Sequence, residues 1–275
     1  MSGAACRRAC GAVLALLLIA APSLGAPAAP AAPAAERYDF ITSYQRPETA
    51  DYQVYYDELR HERFLESVAE ELNRVLELPA TVTLRIVECG HSTTSWDAET
   101  RVVTICYEFL DAVLVIAGES GASAEHAEQM FSGAVTFALF DEIGRALVAL
   151  YGLPVPRGVD RAGDEFAAIT LASAEQEGDP SAAAAIEFFD DALKDPEAGL
   201  EFIETHGFDH ERLETVACIL YGNARANHAA SLANGVISPE RAPRCSEEVL
   251  AVARSWEGYL KDHARGGAAP SPARL

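Results

Sequence analysis

From Phe137 through Ala138, Leu139, Phe140, Asp141, Glu142, Ile143, Gly144, Arg145, Ala146 and Leu147 the chain is apolar on nearly every side of a helix, yet it carries three charges within five residues. A helix that is apolar all round has no face for water and must be enclosed by other elements. A charge buried alone in such a helix is costly, so Asp141, Glu142 and Arg145 require partners, a metal or neutralisation. Asp141 and Arg145 stand four apart on one face and Glu142 and Arg145 three apart, so partial pairing within the helix is available. A structural ion cluster is the simplest reading.

The elements around this helix follow from periodicity. Leu59, Phe64, Leu65, Val68, Leu72, Val75 and Leu76 recur at helical spacing, which predicts one amphipathic helix over 57–78 ended by Pro79. Val82 to Val87 alternates as a half-buried strand, and 101–106 is its natural hairpin partner across a polar, turn-like 90–100. Helices are expected over 108–117, 124–151, 160–175, 181–194, 210–221 and 246–263, with Asp179-Pro180 and Ser238-Pro239 as start signals. The class is α+β with helices in the majority.

Downstream of the charged helix, Leu153-Pro154-Val155 leads to Asp160 and then to Asp164-Glu165-Phe166-Ala167. Thermolysin-like zinc peptidases hold their metal with two His four apart and use the Glu after the first as general base. A carboxylate ligand on a following helix, and an Asp four residues beyond it that orients a ligand, complete the site. Positions 141, 145, 142, 160 and 164 match that layout in spacing. With Cys89-Gly90, Cys106-Tyr107-Glu108, Cys218-Ile219-Leu220-Tyr221-Gly222, Arg244-Cys245 and Ser255-Trp256 in the same order, the chain resembles a family of bacterial secreted metallopeptidase-like proteins classed as a domain of unknown function. The resemblance covers nearly the whole chain after the leader. It implies a zincin-like fold with a buried central motif helix, bound zinc and peptide-bond hydrolysis.

At the metal positions the sequence departs from that pattern. Asp141 stands where the first His is expected, Arg145 where the second is, and Asp160 replaces a Glu. Glu142, at the general-base position, and Asp164, which would support a ligand, keep their identities. Carboxylates at 141 and 160 are able to bind a hard cation, but a guanidinium has no lone pair to donate. The expectation is therefore no zinc. Arg145 would stand in for the ion among Asp141, Glu142, Asp160 and Asp164, in a catalytically silent protein that binds a peptide or protein or serves structurally. The alternative is an active metal-dependent peptidase with an altered ligand set or a different cation.

Arg7 and Arg8 followed by the apolar run 13–21 and Ser23-Leu24-Gly25 read as a signal peptide over 1–25, with an uncleaved anchor as the alternative. An Ala/Pro tether over 26–35, a single domain over 36–265 and a flexible tail over 266–275 follow from composition. Export to the periplasm or beyond is expected, with no membrane contact beyond the leader. The net charge of −21 argues against nucleic acid as a partner. Outside the leader the cysteines are Cys89, Cys106, Cys218 and Cys245, an even number suited to an oxidising compartment. Cys89 with Cys106, at the ends of two candidate strands, and Cys218 with Cys245, between two helical segments, are the favoured pairs. Free thiols are the alternative.

His206 and His210 are also four apart, but Gly207 and a capping Asp209 interrupt any shared helix. They read as surface residues at a helix start rather than a relocated metal site. His61, His91, His126, His228 and His263 read as structural or solvated, Ser92 to Ser95 as a loop, and Trp256 as core.

Overall fold

A computed structural model describes residues 37–176, 180–195 and 200–267. The expected leader (1–25), the tether (26–35), Asp179 and positions 268–275 of the tail lie outside the described residues.

The charged segment lies in α4 (Ala124–Tyr151), whose residues from Gly133 to Val148 are almost all buried. Ser123 caps its first turn by accepting from the His126 N–H, and Gly152 closes its last turn at φ +60°, a left-handed conformation that glycine adopts without a Cβ penalty. Neighbouring elements wrap it: α3 (Tyr107–Glu119), α5 (Val159–Gln176), α6 (Ser181–Lys194) and one sheet. Phe137 packs edge-on against Phe189 and Phe208, and Phe166 of α5 packs against Trp256 of α10 (Cys245–Leu260), which confirms Trp256 as core.

α5 approaches α4 closely at the charged turn. A Cβ added at Gly144 would lie 2.9 Å from the Phe166 Cβ and 3.0 Å from the Gly163 Cα, and one added at Gly163 would lie 2.8 Å from the Asp141 carbonyl oxygen. Both glycines are thus required by contact, and their meeting brings Asp160 and Asp164 to the charged turn of α4. Gly163→Ala should cost about 1–3 kcal/mol, the usual penalty of overpacking a close contact. A chemical melt indistinguishable from the parent's would show that the two helices separate freely.

The sheet corrects the expected hairpin. Its strands are β1 (Phe40–Tyr44), β2 (Val82–Val87), β3 (Thr94–Asp97) and β4 (Val102–Cys106), in the order β1-β2-β4-β3. β2 runs parallel to both β1 and β4, with Leu84 opposite Val103 and Ile86 opposite Ile105. The true hairpin is β3–β4, because Asp97 accepts from the N–H groups of Glu99 and Thr100 and so turns the chain immediately. That local turn competes successfully with a return from β2. Parallel pairing also sets Val87 beside Cys106, so the C-terminal ends of β2 and β4 meet and the Cys89–Cys106 disulfide closes there. An antiparallel β2–β4 pair would have kept those ends apart.

The other expected pair, Cys218–Cys245, joins α8 (His210–Asn223) to the start of α10. Two disulfides suit an oxidising compartment. Among the described residues no helix is long and apolar enough to cross a membrane.

Two further expectations are corrected, and three short elements are new. The single helix over 57–78 is two, α1 (Gln53–His61) and α2 (Phe64–Val75), divided where Arg63 adopts φ +56°. That turn directs Leu65, Ala69 and Leu72 of α2 inward. Ser238 caps no helix: its carbonyl accepts from Arg241 and Ala242 in a turn, and α10 begins only at Cys245. β1, α7 (Glu201–His206) and α9 (Ala229–Ala233) are short elements without a strong period of their own. β1 is fixed from outside, by the Asn73 side chain bonding both the N–H and the carbonyl of Phe40.

Candidate functional site

Asp141, Glu142 and Arg145 project from one turn of α4, and each finds a different set of partners. Asp141 is fully buried, and its Oδ2 accepts from the Arg145 Nε at 2.8 Å. Its Oδ1 has no hydrogen-bond partner and lies against the Gly163 backbone, with an Arg212 nitrogen 4.0 Å away. Burial, assisted by the nearby Asp164, pushes the Asp141 carboxyl well above the usual range, against the opposing pull of Arg145. Arg145 also donates from Nη1 to the Asp160 Oδ1 at 2.7 Å, and its Nε lies 4.0 Å from the Glu142 Oε2. Burial alone would lower the basicity of this guanidinium; the carboxylates around it outweigh that and hold it charged.

The expectation that Arg145 sits among four carboxylates thus holds for Asp141, Glu142 and Asp160. Asp164 feels Arg145 only through space. That residue is gripped by Arg212 of α8 through two bonds of 2.7 Å, from Nε to Oδ2 and from Nη2 to Oδ1. Burial pushes the Asp164 carboxyl up, and the Arg212 bonds pull it back only in part. Arg212 also donates to the carbonyl of His206 at the end of α7, and its guanidinium lies over the Phe208 ring. Asp160, in the first turn of α5, remains mostly exposed.

His206 is not a surface residue; this corrects the sequence reading. Its side chain is 6% exposed and its Nε2 lies 2.5 Å from the Glu142 Oε1. The Nδ1 faces the Phe202 carbonyl at 3.1 Å, and the ring stacks on Phe202. The Thr205 hydroxyl also lies 3.0 Å from Nδ1, so both ring nitrogens of His206 are engaged in polar contacts. The expected break between the two histidines is present, with Gly207 at φ +56° and Asp209 capping α8 through the Arg212 N–H. His210 is exposed at the start of α8. The break was legible; that α7 would turn His206 inward onto α4 was not.

The Ser92–Ser95 segment is likewise more than a loop. Thr94 opens β3, is buried, and donates its hydroxyl to the Glu142 Oε1 at 3.0 Å. Thr93 and Thr205 meet hydroxyl to hydroxyl at 2.7 Å, and the Ser92 hydroxyl accepts from the Glu201 N–H at the start of α7. β3 and α7 thus brace each other over the charged turn. Between them opens a cleft of about 370 Å³, lined by Thr93, Trp96, Glu142, Arg145, Thr205 and His206 among others. Of the remaining histidines, His126 pairs with Glu187, His228 is buried beside Glu175, His263 stacks on Tyr151, and His61 and His91 are exposed.

Three ligand-type side chains come together here: the Asp141, Glu142 and His206 donor atoms all lie within 4.8 Å of one another. The guanidinium of Arg145 is in the same space, 2.8 Å from one carboxylate and 4.0 Å from the other. A zinc ion bonded to both carboxylates at about 2 Å would face that fixed positive charge at short range, with Asp141 already committed to it. The residues present do not fit zinc without displacing Arg145.

Fold and site together define a helix-dominated α+β protein whose buried central helix presents an acid and a guanidinium, met by an imidazole from α7, at the floor of an open cleft. A family model described as "Putative metallopeptidase" matches residues 44–260, most of the chain, and the protein belongs to that family. No curated protein and no solved structure matches it.

Proposed function

We propose that this is an exported member of its family with a zincin-like fold and no zinc, catalytically silent, that binds an extended peptide or protein segment in the cleft over Glu142. The observation that carries the reading is Arg145 bridging Asp141 and Asp160 at 2.8 and 2.7 Å. A covalently attached cation there compensates the buried Asp141 and the exposed Asp160, carboxylates that a metal would otherwise neutralise, and it leaves no water activated by a metal. Export is supported by the leader pattern and the two disulfides. Glu142 and His206 remain as a closely paired acid and imidazole able to bond the amide of a bound segment, and Thr93, Thr205 and Trp96 supply hydroxyls and an aromatic wall.

The second reading is a peptidase with an altered ligand set, and the clustering of Asp141, Glu142 and His206 favours it. Elemental analysis after dialysis against trace zinc separates the two. The expected result is less than stoichiometric zinc, together with no cleavage of a fluorogenic peptide mixture and a saturable change in Trp96 fluorescence on adding it. One zinc per chain, lost in Asp141→Ala and in His206→Ala, would establish the second reading. Restoring imidazoles with Asp141→His and Arg145→His together should make thermal stability zinc-dependent, because a ligand that binds only the native state stabilises it.

A further inference from the structure

A second concavity lies on the opposite half of α4, between its first turns and α1, α2 and α3, with a volume of about 660 Å³. Its walls are apolar and aromatic, with Tyr55, Leu59, Phe64, Leu114, Phe131 and Val135 among them. Its charged lining residues are Glu58, Glu62 and Glu128, all exposed, and no Lys, Arg or His lines it. Among the described residues none of these three carboxylates is held in an ion pair. Cations on the adjoining turns are committed elsewhere: Arg60 to the Tyr56 hydroxyl, Arg63 to Glu70, and His126 to Glu187.

The groove therefore combines two features that select the same ligand. Its volume falls in the range of small-molecule pockets, about 300–1,000 Å³, and its apolar walls favour an apolar body. Aromatic faces beside uncompensated carboxylates favour an organic cation, and they disfavour an anion. We propose that this groove is a binding site for a small organic ammonium ion, an apolar or aromatic body carrying one protonated amine. The apolar body would lie against Phe64, Phe131 and Leu114, and the amine would point to the rim formed by Glu58, Glu62 and Glu128. The site shares no lining residue with the cleft over Glu142, so it stands or falls independently of the function proposed there.

Calorimetric titration of the purified full chain with tryptamine, tryptophol and indoleacetate tests this, since the three share one ring and differ in charge. Tryptamine is expected to bind saturably at one site. Tryptophol should bind about 10-fold more weakly and indoleacetate not at all, with tryptamine affinity falling as salt is raised. Changing Glu58, Glu62 and Glu128 to Gln together should reduce tryptamine to the affinity of tryptophol. These residues are exposed, so the fold should be unaffected, and an unchanged thermal melt would verify that. Leu114→Lys, also at an exposed position, should abolish tryptamine binding. No saturable tryptamine binding by the parent chain, equal affinity for all three compounds, or full affinity in the triple Gln variant would each overturn the proposal.

Discussion

Arg212→Ala should lower stability by about 3–5 kcal/mol, the range for stranding one member of a buried ion pair. Asp164, the stranded partner, is 1% exposed and has both oxygens bonded to Arg212. The same guanidinium holds the His206 carbonyl and covers Phe208, so its loss also frees the turn that aims His206 at Glu142. For a domain of this size the melting temperature should fall by about 6–20 °C. Replacing both partners, Asp164→Asn with Arg212→Met, should recover much of the loss, because it removes the unpaired charge along with the pair. A single Arg212→Ala variant that melts within a degree or two of the parent would show that Asp164 is neutral and indifferent to its partner.

Arg145→Ala should cost somewhat less, about 3 kcal/mol near pH 7, and its effect should depend on pH. The Arg145–Asp141 contact is fully enclosed on the Asp141 side, whereas Asp160 is more than half exposed and its share is screened by solvent. The sign of the pH dependence follows from Asp141, whose carboxyl is raised by burial in the folded chain. From the unfolded value of about 4 up to the raised folded value, the native state binds more protons than the unfolded one, so this group's contribution falls as pH rises through that window. Removing Arg145 takes away the main opposing attraction, moves the folded value higher still and extends the window upward. The deficit of Arg145→Ala relative to the parent should therefore shrink on going from about pH 7 to about pH 5. Denaturant titrations of both proteins at the two pH values measure it. A deficit that is equal at both, or larger at the lower pH, would mean that Asp141 does not take up the proton.

Much of the architecture was written in local pattern. The limits of α4 and α6 could be read to the residue because each is a long run whose apolar period stops abruptly, α4 at Gly152 and α6 beyond Lys194. The burial of Asp141 and Glu142 also followed from sequence, since a helix apolar on all sides leaves nowhere else for them. Pairing of Arg145 with Asp141 followed from helical geometry alone.

What the sequence did not determine were relations between segments that no local period encodes. β2 and β4 have the alternation of a pair, but alternation carries no direction; the Asp97 turn, by seating β3 antiparallel on β4, left β2 to pair in parallel. Arg212 lies 48 residues from Asp164 and His206 lies 64 from Glu142, and neither has a spacing signal pointing to its partner. Their meeting depends on α7 folding back against the Ser92–Thr94 segment over the charged turn of α4, and on α8 packing against α5. The sequence by itself therefore determined the family, the buried charged helix and the guanidinium at position 145, and it favoured the cysteine pairs that the parallel β2–β4 arrangement and the α8–α10 contact then closed. Only the tertiary structure decided that Glu142 faces an imidazole and Asp164 a second arginine, because a buried charge specifies that a partner must exist and leaves its identity to the packing of distant elements.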